Sequence, residues 1–302
     1  ERGRRHGPCP LCGGKDRARC HNDFEDTGGI FCNQCGGGAD GFAVLMWANG
    51  WTFPEALEAV KSYLDLDIGV MSEPRPQIRT VTSKDWTLVQ KKLERIWKEA
   101  GLGASRLREY FEYRGLPMTP PNTLRIHPSL EYWYDGESHG KFPCMVARII
   151  KNDELAGIHR TFLDLDTPGK APVPKPKLSK KCLDSMTGGC IRLFEFNQEK
   201  PLGLCEGIET ALAVHQMTDY PVWACVSSTM MEKVQLPNNI KSVIIAADKD
   251  RSGDGQESAE KLAQRLADEG REVKVSLPPV EIPDGEKSVD WLDCLNQGVT
   301  YA

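Results

Sequence analysis

The chain has 302 residues, 40% of them hydrophobic and 27% charged, with a formal net charge of −5. That length calls for two or three domains, and the composition is that of an ordinary soluble globular protein. No stretch approaches the roughly 18 apolar residues of a membrane span, and the start ERGRRHGPCP has no apolar region of a secretory signal, so a cytoplasmic protein without a membrane partner is expected.

In chain order, residues 1–70 read as a small Gly- and Cys-rich domain with a trailing helix. Its first part has so little apolar periodicity that a metal must replace the missing core. The trailing helix is signalled by Thr52 and Glu55 at capping-box spacing, Pro54 in the first turn, and Phe53, Leu57, Val60 and Leu64 at helical spacing. Residues 71–84 hold two prolines and little apolar content and read as a linker. Residues 85–198 read as an α+β segment. It opens with a helix carrying Trp86, Val89, Leu93, Ile96 and Ala100 on one face, then a second helix from about 105 to 114. Strands follow around 142–150 and 155–162, and residues 166–181 (DTPGKAPVPKPKLSKK) read as a Pro/Lys-rich loop. Basic surplus lies in this middle part, with nine Lys/Arg against five Asp/Glu from 79 to 120, and five Lys against two Asp from 166 to 187. From 199 to 302, strands (LGLC, VWACV, SVIIAA, EVKVSL) alternate with helices (ETALAVHQM, SAEKLAQRLADEG ending at Gly270, VDWLDCLN), which predicts a parallel α/β sheet. The expected fold is therefore α/β, with a β-rich zinc ribbon linked to an α+β half and a parallel-sheet domain. There is no GxxxxGK[ST] motif, so no P-loop motor is expected.

An odd count of eleven cysteines argues against a disulfide scaffold. Cys144, Cys182, Cys190, Cys205, Cys225 and Cys294 read as small buried hydrophobes. Cys9-x2-Cys12 and Cys32-x2-Cys35, separated by 19 residues, have the spacing of a four-cysteine zinc site. Four thiolates close the tetrahedron, so one structural zinc is expected. Cys20 and His21 stand as alternatives for one ligand. Lys15, Arg17 and Arg19, with Phe24 and Phe31 nearby, suit the phosphates and bases of a single strand, though a solvated basic loop has the same look.

Three acids form the second constellation. Glu206 follows LGLC and precedes Gly207, while Asp248 and Asp250 follow SVIIAA, with Gly253 and Gly255 after them. Ligands of a parallel sheet bind beyond its carboxyl edge, where these acids meet. A DxD pair suits Mg²⁺ or Mn²⁺, which keeps positions for substrate phosphates. Glu206 is either a general base toward a 3′-hydroxyl or a further ligand. Asp290 and Asp293 in SVDWLD are candidates to add to this metal site, with a helix N-cap as an equal alternative for Asp290. Arg160, Lys170, Lys180 and Lys181 are candidates for contacting nucleotides or template, and His159 reads as structural.

EGIETALA (206–213) and AADKDRSG (246–253) resemble the signature motifs of the toprim domain of bacterial primases, topoisomerases and some nucleases. CPLCGGKDRARC…GGIFCNQCGGGADGF (9–42) resembles the zinc ribbon of phage- and mobile-element-type primases, and IHRTFLD, YFEYRGL and the KAP of 170–172 resemble the segment joining the two. The resemblance implies template-directed RNA primer synthesis from NTPs on single-stranded DNA, by a monomer with a separate replicative helicase as a further partner. It implies Glu206 as the toprim glutamate, Asp248 and Asp250 as the metal-binding DxD, and Cys9, Cys12, Cys32 and Cys35 as zinc ligands. The motif around Asp290 and Asp293 departs from the usual form, and Ala18 and Cys20 stand where aromatics are usual in the ribbon. Two alternatives remain open, a toprim nuclease and a non-catalytic single-stranded-DNA-binding or loading factor. A topoisomerase lacks a domain to supply its tyrosine.

Overall fold

A computed structural model describes residues 6–21, 23–64, 86–102, 104–182 and 185–301. The chain divides into two compact units, Glu1–Val81 and Thr82–Ala302, and the linker expected over 71–84 lies outside the described residues.

The smaller unit is built on an antiparallel sheet of β1 (Gly7–Cys9), β2 (Gly13–Cys20), β3 (Ile30–Cys32) and β4 (Gly36–Gly38), in that order, with a single turn α1 (Phe24–Thr27) between β2 and β3. Each CxxC straddles a tight strand connection. Gly37 and Gly38 are there for space, because a Cβ would lie 2.1 Å from the Ile30 carbonyl and 2.3 Å from the Val44 amide respectively. Helix α2 (Gly41–Asn49) starts at Asp40, whose carboxylate accepts from the Ala43 amide at 2.8 Å. Helix α3 (Phe53–Leu64) starts where expected, with Glu55 accepting from both the amide (2.6 Å) and the hydroxyl (2.7 Å) of Thr52. Its expected apolar face is not buried. Among the described residues of α3 only Ala56 is buried, and Phe53 meets Phe42 near the surface with ring centroids 5.3 Å apart. The small sheet offers no second layer large enough to cover that face.

In the larger unit α4 (Thr87–Glu99) and α5 (Ala104–Tyr113) precede an antiparallel meander of β5 (Leu124–Tyr134), β6 (Glu137–Lys151), β7 (Glu154–Phe162) and β8 (Lys177–Lys181). Helix α4 covers one face, packing Leu93, Ile96 and Ala100 on Tyr132, Cys144, Val146, Ile158 and Phe162. Two strands go beyond the sequence expectation. β5 is an edge strand whose Pro128 coincides with a register shift between His127 and Leu130, so the ladder tolerates a residue that argues against a strand. β8 forms the end of the expected Lys-rich loop and offers only Leu178 as apolar content.

The chain then builds a five-stranded sheet from β9 (Ile191–Arg192), β10 (Leu202–Cys205), β11 (Val222–Ala224), β12 (Ser242–Ala246) and β14 (Glu272–Ser276), with helices α6 (Ile208–Thr218), α7 (Ser228–Glu232), α8 (Asp254–Asp268) and α9 (Trp291–Asn296). A two-stranded ribbon joins β13 (Lys249–Asp250) to β15 (Ser288–Val289). Sheet order is β14-β12-β10-β11-β9, parallel apart from β9. The chain leaves β10 to one side and returns as β12 on the other, so the switch point lies at the carboxyl end of β10. The free face of the meander and the α6/α9 face of this sheet share one core, which includes Leu124, Met145, Ala147, Ile208, Leu212 and Leu292. A second core lies under α7 and α8. The six cysteines outside the ribbon are all buried and free, as expected.

Candidate functional site

In the smaller unit the Cys9 and Cys35 sulfurs lie 3.5 Å apart, those of Cys12 and Cys32 lie 3.6 Å apart, and all four are within 4.8 Å of one another. A tetrahedron with Zn–S bonds of about 2.3 Å has edges of about 3.8 Å, so the four fit one structural zinc. The backbone supports charged thiolates: Leu11 and Cys12 amides donate to Cys9 Sγ, and the Gln34 amide donates to Cys32 Sγ, each at 3.4 Å. Cys20 and His21 are not in this group. Lys15, Arg17 and Arg19 alternate along β2. Arg17 bonds the sulfur of Cys12, Arg19 lies 5.4 Å over the half-exposed Phe31 ring, and Lys15 is exposed.

In the larger unit Glu206 emerges from β10 and Asp248 from β12, the two strands flanking the switch point. The β13–β15 ladder pairs Lys249 with Val289 and Asp250 with Ser288, which draws Asp290 in beside Asp248. Asp248 carries the strongest strain of the group. Its Oδ1 is buried without a hydrogen-bond partner. Burial, and then the charges of Asp290, Glu206 and Asp250, push its carboxyl up to about 8. Burial also raises Asp290 and Glu206, the latter further through Asp250. Asp250 differs. Burial works against its charge, but the Ser252 hydroxyl (2.6 Å) and the Gly255 amide (2.8 Å) hold it below the ordinary range. It therefore also satisfies the first amides of α8.

Asp290 is the N-cap of α9, accepting from the Leu292 (2.8 Å) and Asp293 (3.0 Å) amides through Oδ1, while Oδ2 takes the Thr210 hydroxyl at 3.3 Å. Asp293 closes the capping box by accepting the Asp290 amide at 3.0 Å, and its side chain is exposed. The acids are not drawn as tightly together as the cysteines, which are the one such group among the described residues with all ligand atoms inside 4.8 Å. A buried oxygen without a donor, next to three further carboxylates, is the donor set a hydrated divalent cation fits.

Of the four basic candidates in the middle segment, one reaches this place. Lys170 lies near enough to influence Asp290 and pairs with Glu209 Oε1 at 3.8 Å. Arg160 lies over the Phe162 ring, 5.7 Å away, and Lys180 pairs across from Ile158, so both belong to the face covered by α4. Lys181 lies 5.3 Å from the Trp86 ring. His159 is buried on Ser179 Oγ (2.9 Å), and burial lowers it to about 4, in keeping with a structural role.

Four residues at the site are given no role by the sequence expectation. Lys177, first residue of β8, stands opposite Thr161, bonds Glu209 Oε2 at 2.8 Å and relieves the charge on Glu206 and Asp248. Glu209 is buried in α6 and also accepts from the Tyr110 hydroxyl at 2.6 Å. Arg114 sits close enough to act on both Tyr110 and Lys170, and its buried Nε has no partner. The available signal was the lone Glu in the apolar run IETALAV, since a carboxylate buried in a helix requires cations.

Residues 4–42 match the zinc-binding domain of primase-helicase, 89–193 a domain of unknown function (DUF7146), and 201–300 the toprim domain. Among solved structures, the chain is similar to the primase fragment of the bacteriophage T7 primase-helicase protein at 18% identity, over 97% of this chain and 95% of that one, with a TM-score of 0.41. The zinc-binding and RNA polymerase domains of the Aquifex aeolicus primase are similar at 15% identity, over 97% and 75%, with a TM-score of 0.42. A DnaG catalytic core is similar at 19% identity, over 70% and 75%, with a TM-score of 0.45. In chain order the protein carries a zinc-binding domain of the primase-helicase kind, a domain of unknown function and a toprim domain.

Proposed function

We propose that the protein is a DNA primase, an enzyme that joins NTPs into short RNA primers on a single-stranded DNA template. The observation that carries this reading is the meeting of acids and ammoniums in one crevice: Asp248, Asp290, Glu206 and Asp250 stand beside Lys177 and Lys170 at the carboxyl ends of β10 and β12. Such a pairing suits a nucleoside triphosphate, whose phosphates need cations while the chemistry needs a metal. Asp248 and Asp250 would hold Mg²⁺ or Mn²⁺, with Glu206 or Asp290 completing the site, and such a cation would supply neutralisation of triphosphate charge and polarisation of the α-phosphate. Lys170 and Lys177 bind the triphosphate as point charges. The 3′-oxygen of one nucleotide bonds to the α-phosphorus of the next, the bond to pyrophosphate breaks, and Glu206 takes the hydroxyl proton. Burial raises its affinity for a proton, which favours the base role.

The ribbon supports the same reading. Lys15 and Arg19 on β2, with Arg19 over Phe31, suit the phosphates and bases of a template strand. Arg17, committed to Cys12, serves the zinc site instead.

The test is synthesis of labelled oligoribonucleotide on single-stranded DNA with Mg²⁺ or Mn²⁺. Wild type should make product and Asp248→Ala should not. Loss of labelled DNA without gain of labelled RNA would make the protein a nuclease, and equal product from both chains would end the catalytic assignment.

A further inference from the structure

We infer that Glu209 is a positioning residue, a buried carboxylate that holds the Lys170 and Lys177 ammoniums side by side so that both meet one triphosphate. This rests on the functional reading above.

Glu209 lies in the first turn of α6, where every residue from Ile208 to Val214 is buried. Its two oxygens are divided between partners. Oε2 takes the Lys177 ammonium at 2.8 Å, while Oε1 takes the Tyr110 hydroxyl at 2.6 Å and faces the Lys170 ammonium at 3.8 Å. Burial alone would raise this carboxyl, but Lys177 and then Lys170 hold it well below the carboxylate range, so it stays charged. Tyr110 is itself buried, on α5, which fixes the carboxylate from beneath. The lysines are unlike their partner. Their side chains remain 30% and 37% exposed, and they come from a segment rich in proline and lysine with little packing of its own.

Two ammoniums repel one another, and lysine stems are flexible. An anion between them is what keeps them adjacent. A buried ionic cluster is a poor route to stability, since apolar side chains in its place serve as well or better. Its use here is geometric. The carboxylate occupies only one side of each ammonium and leaves both lysines partly open to solvent, and the helix that carries Glu209 starts just after Glu206, at the carboxyl end of β10. None of the acids proposed to hold metal is used in this bracing.

The test uses the full chain, reading primer synthesis against NTP concentration and Mg-ATP binding by equilibrium dialysis. The variants are Glu209→Gln, Tyr110→Phe, Lys177→Ala, and Glu209→Gln combined with Lys177→Ala. Glu209→Gln keeps the shape and should raise both KM and Kd about tenfold, with kcat within about threefold of wild type. The same change made on top of Lys177→Ala should add less than about threefold, because the 2.8 Å contact is already gone and only the 3.8 Å pairing with Lys170 remains to be lost. Tyr110→Phe should move KM and Kd in the same direction, and it carries the test if Glu209→Gln does not fold. The idea fails if Glu209→Gln binds ATP like wild type, if its effect persists undiminished without Lys177, or if it lowers kcat and the melting temperature and spares KM. Should wild type bind ATP and make no primer, the functional reading falls and the Kd values alone decide the role of Glu209. Should it bind no ATP, both fall.

Discussion

Removing the zinc from the full chain should unfold the ribbon and leave the larger unit standing. Outside the cysteines, the buried apolar residues among the described residues of the smaller unit are Ala18 and Ala56. At about 0.8 kcal/mol per buried methylene-sized group, these contribute on the order of 2 kcal/mol. Every residue held in β1–β4 costs about 1–2 kcal/mol of backbone entropy, so packing cannot hold the sheet. A structural zinc contributes about 10–16 kcal/mol near neutral pH, several times what that packing supplies. The assay is limited proteolysis and circular dichroism of the full chain at neutral pH before and after chelation, with released zinc measured by an indicator dye. Cleavage should open within residues 7–49 as one equivalent of zinc appears, while the thermal transition of the larger unit stays in place. Cys32→Ser should reproduce the chelated state without a chelator. A metal-free chain that still resists cleavage through residues 7–38 would refute the reasoning, because the little packing among the described residues of this unit would then be holding its sheet without the metal.

Other outcomes follow from single contacts. Asp248→Asn should lower primer synthesis about a hundredfold or more, with circular dichroism unchanged, because it removes a proposed metal ligand and leaves packing intact. Asp290→Ala should cost about 0.5–2 kcal/mol of stability through the lost cap, and activity as well; Asp293→Ala should cost stability only, since its carboxylate is spent on the Asp290 amide. Denaturant titration alongside primer assays separates the two. Arg106→Ala removes donors from the Asp164 and Thr167 carbonyls and should cost about 1 kcal/mol, with new protease cleavage between 164 and 169. Glu209 is depressed in the fold, so its contribution is complete above the ordinary carboxylate pKa of about 4.3 and is lost as pH falls below it; Glu209→Gln should flatten that part of the stability profile in urea melts.

The zinc site was legible because its ligands come as two local pairs whose spacing is the whole message. The parallel sheet was legible too: LGLC, SVIIAA and EVKVSL are apolar runs between helices of clear period, and strand ends then place Glu206, Asp248 and Asp250 without further information. What escaped depends on pairing across distance. Lys177 among five lysines from 166 to 187 looks like any solvated charge until β8 pairs with β7 and sets it opposite Thr161. Arg160 and Lys180 were set beside Lys170 on charge alone, and alternation along β7 and β8 sends them to the α4 face. β5 was hidden by Pro128, which an edge strand accepts at a register shift. The apolar stripe of α3 was read correctly as a helix, but a stripe does not say that a core exists to receive it.

The ribbon of β13 and β15 is two residues long on each side, yet it governs how Asp290 meets Asp248. Side-chain direction alternates along a strand, so a slip of one residue would turn Asp290 away from the crevice as it moved it along. The adjustment is therefore stepwise. Residues 277–287 lead into β15 and are clamped beside it, the Arg251 guanidinium donating to the Ile282, Pro283 and Glu286 carbonyls and the Lys249 ammonium to the Val280 carbonyl. A single wrong pairing would separate the acids outright. The spacing of the charges is thus read off the peptide backbone like marks on a ruler, and Lys249 and Arg251 on either side of Asp250 pin the loop before it to the same scale.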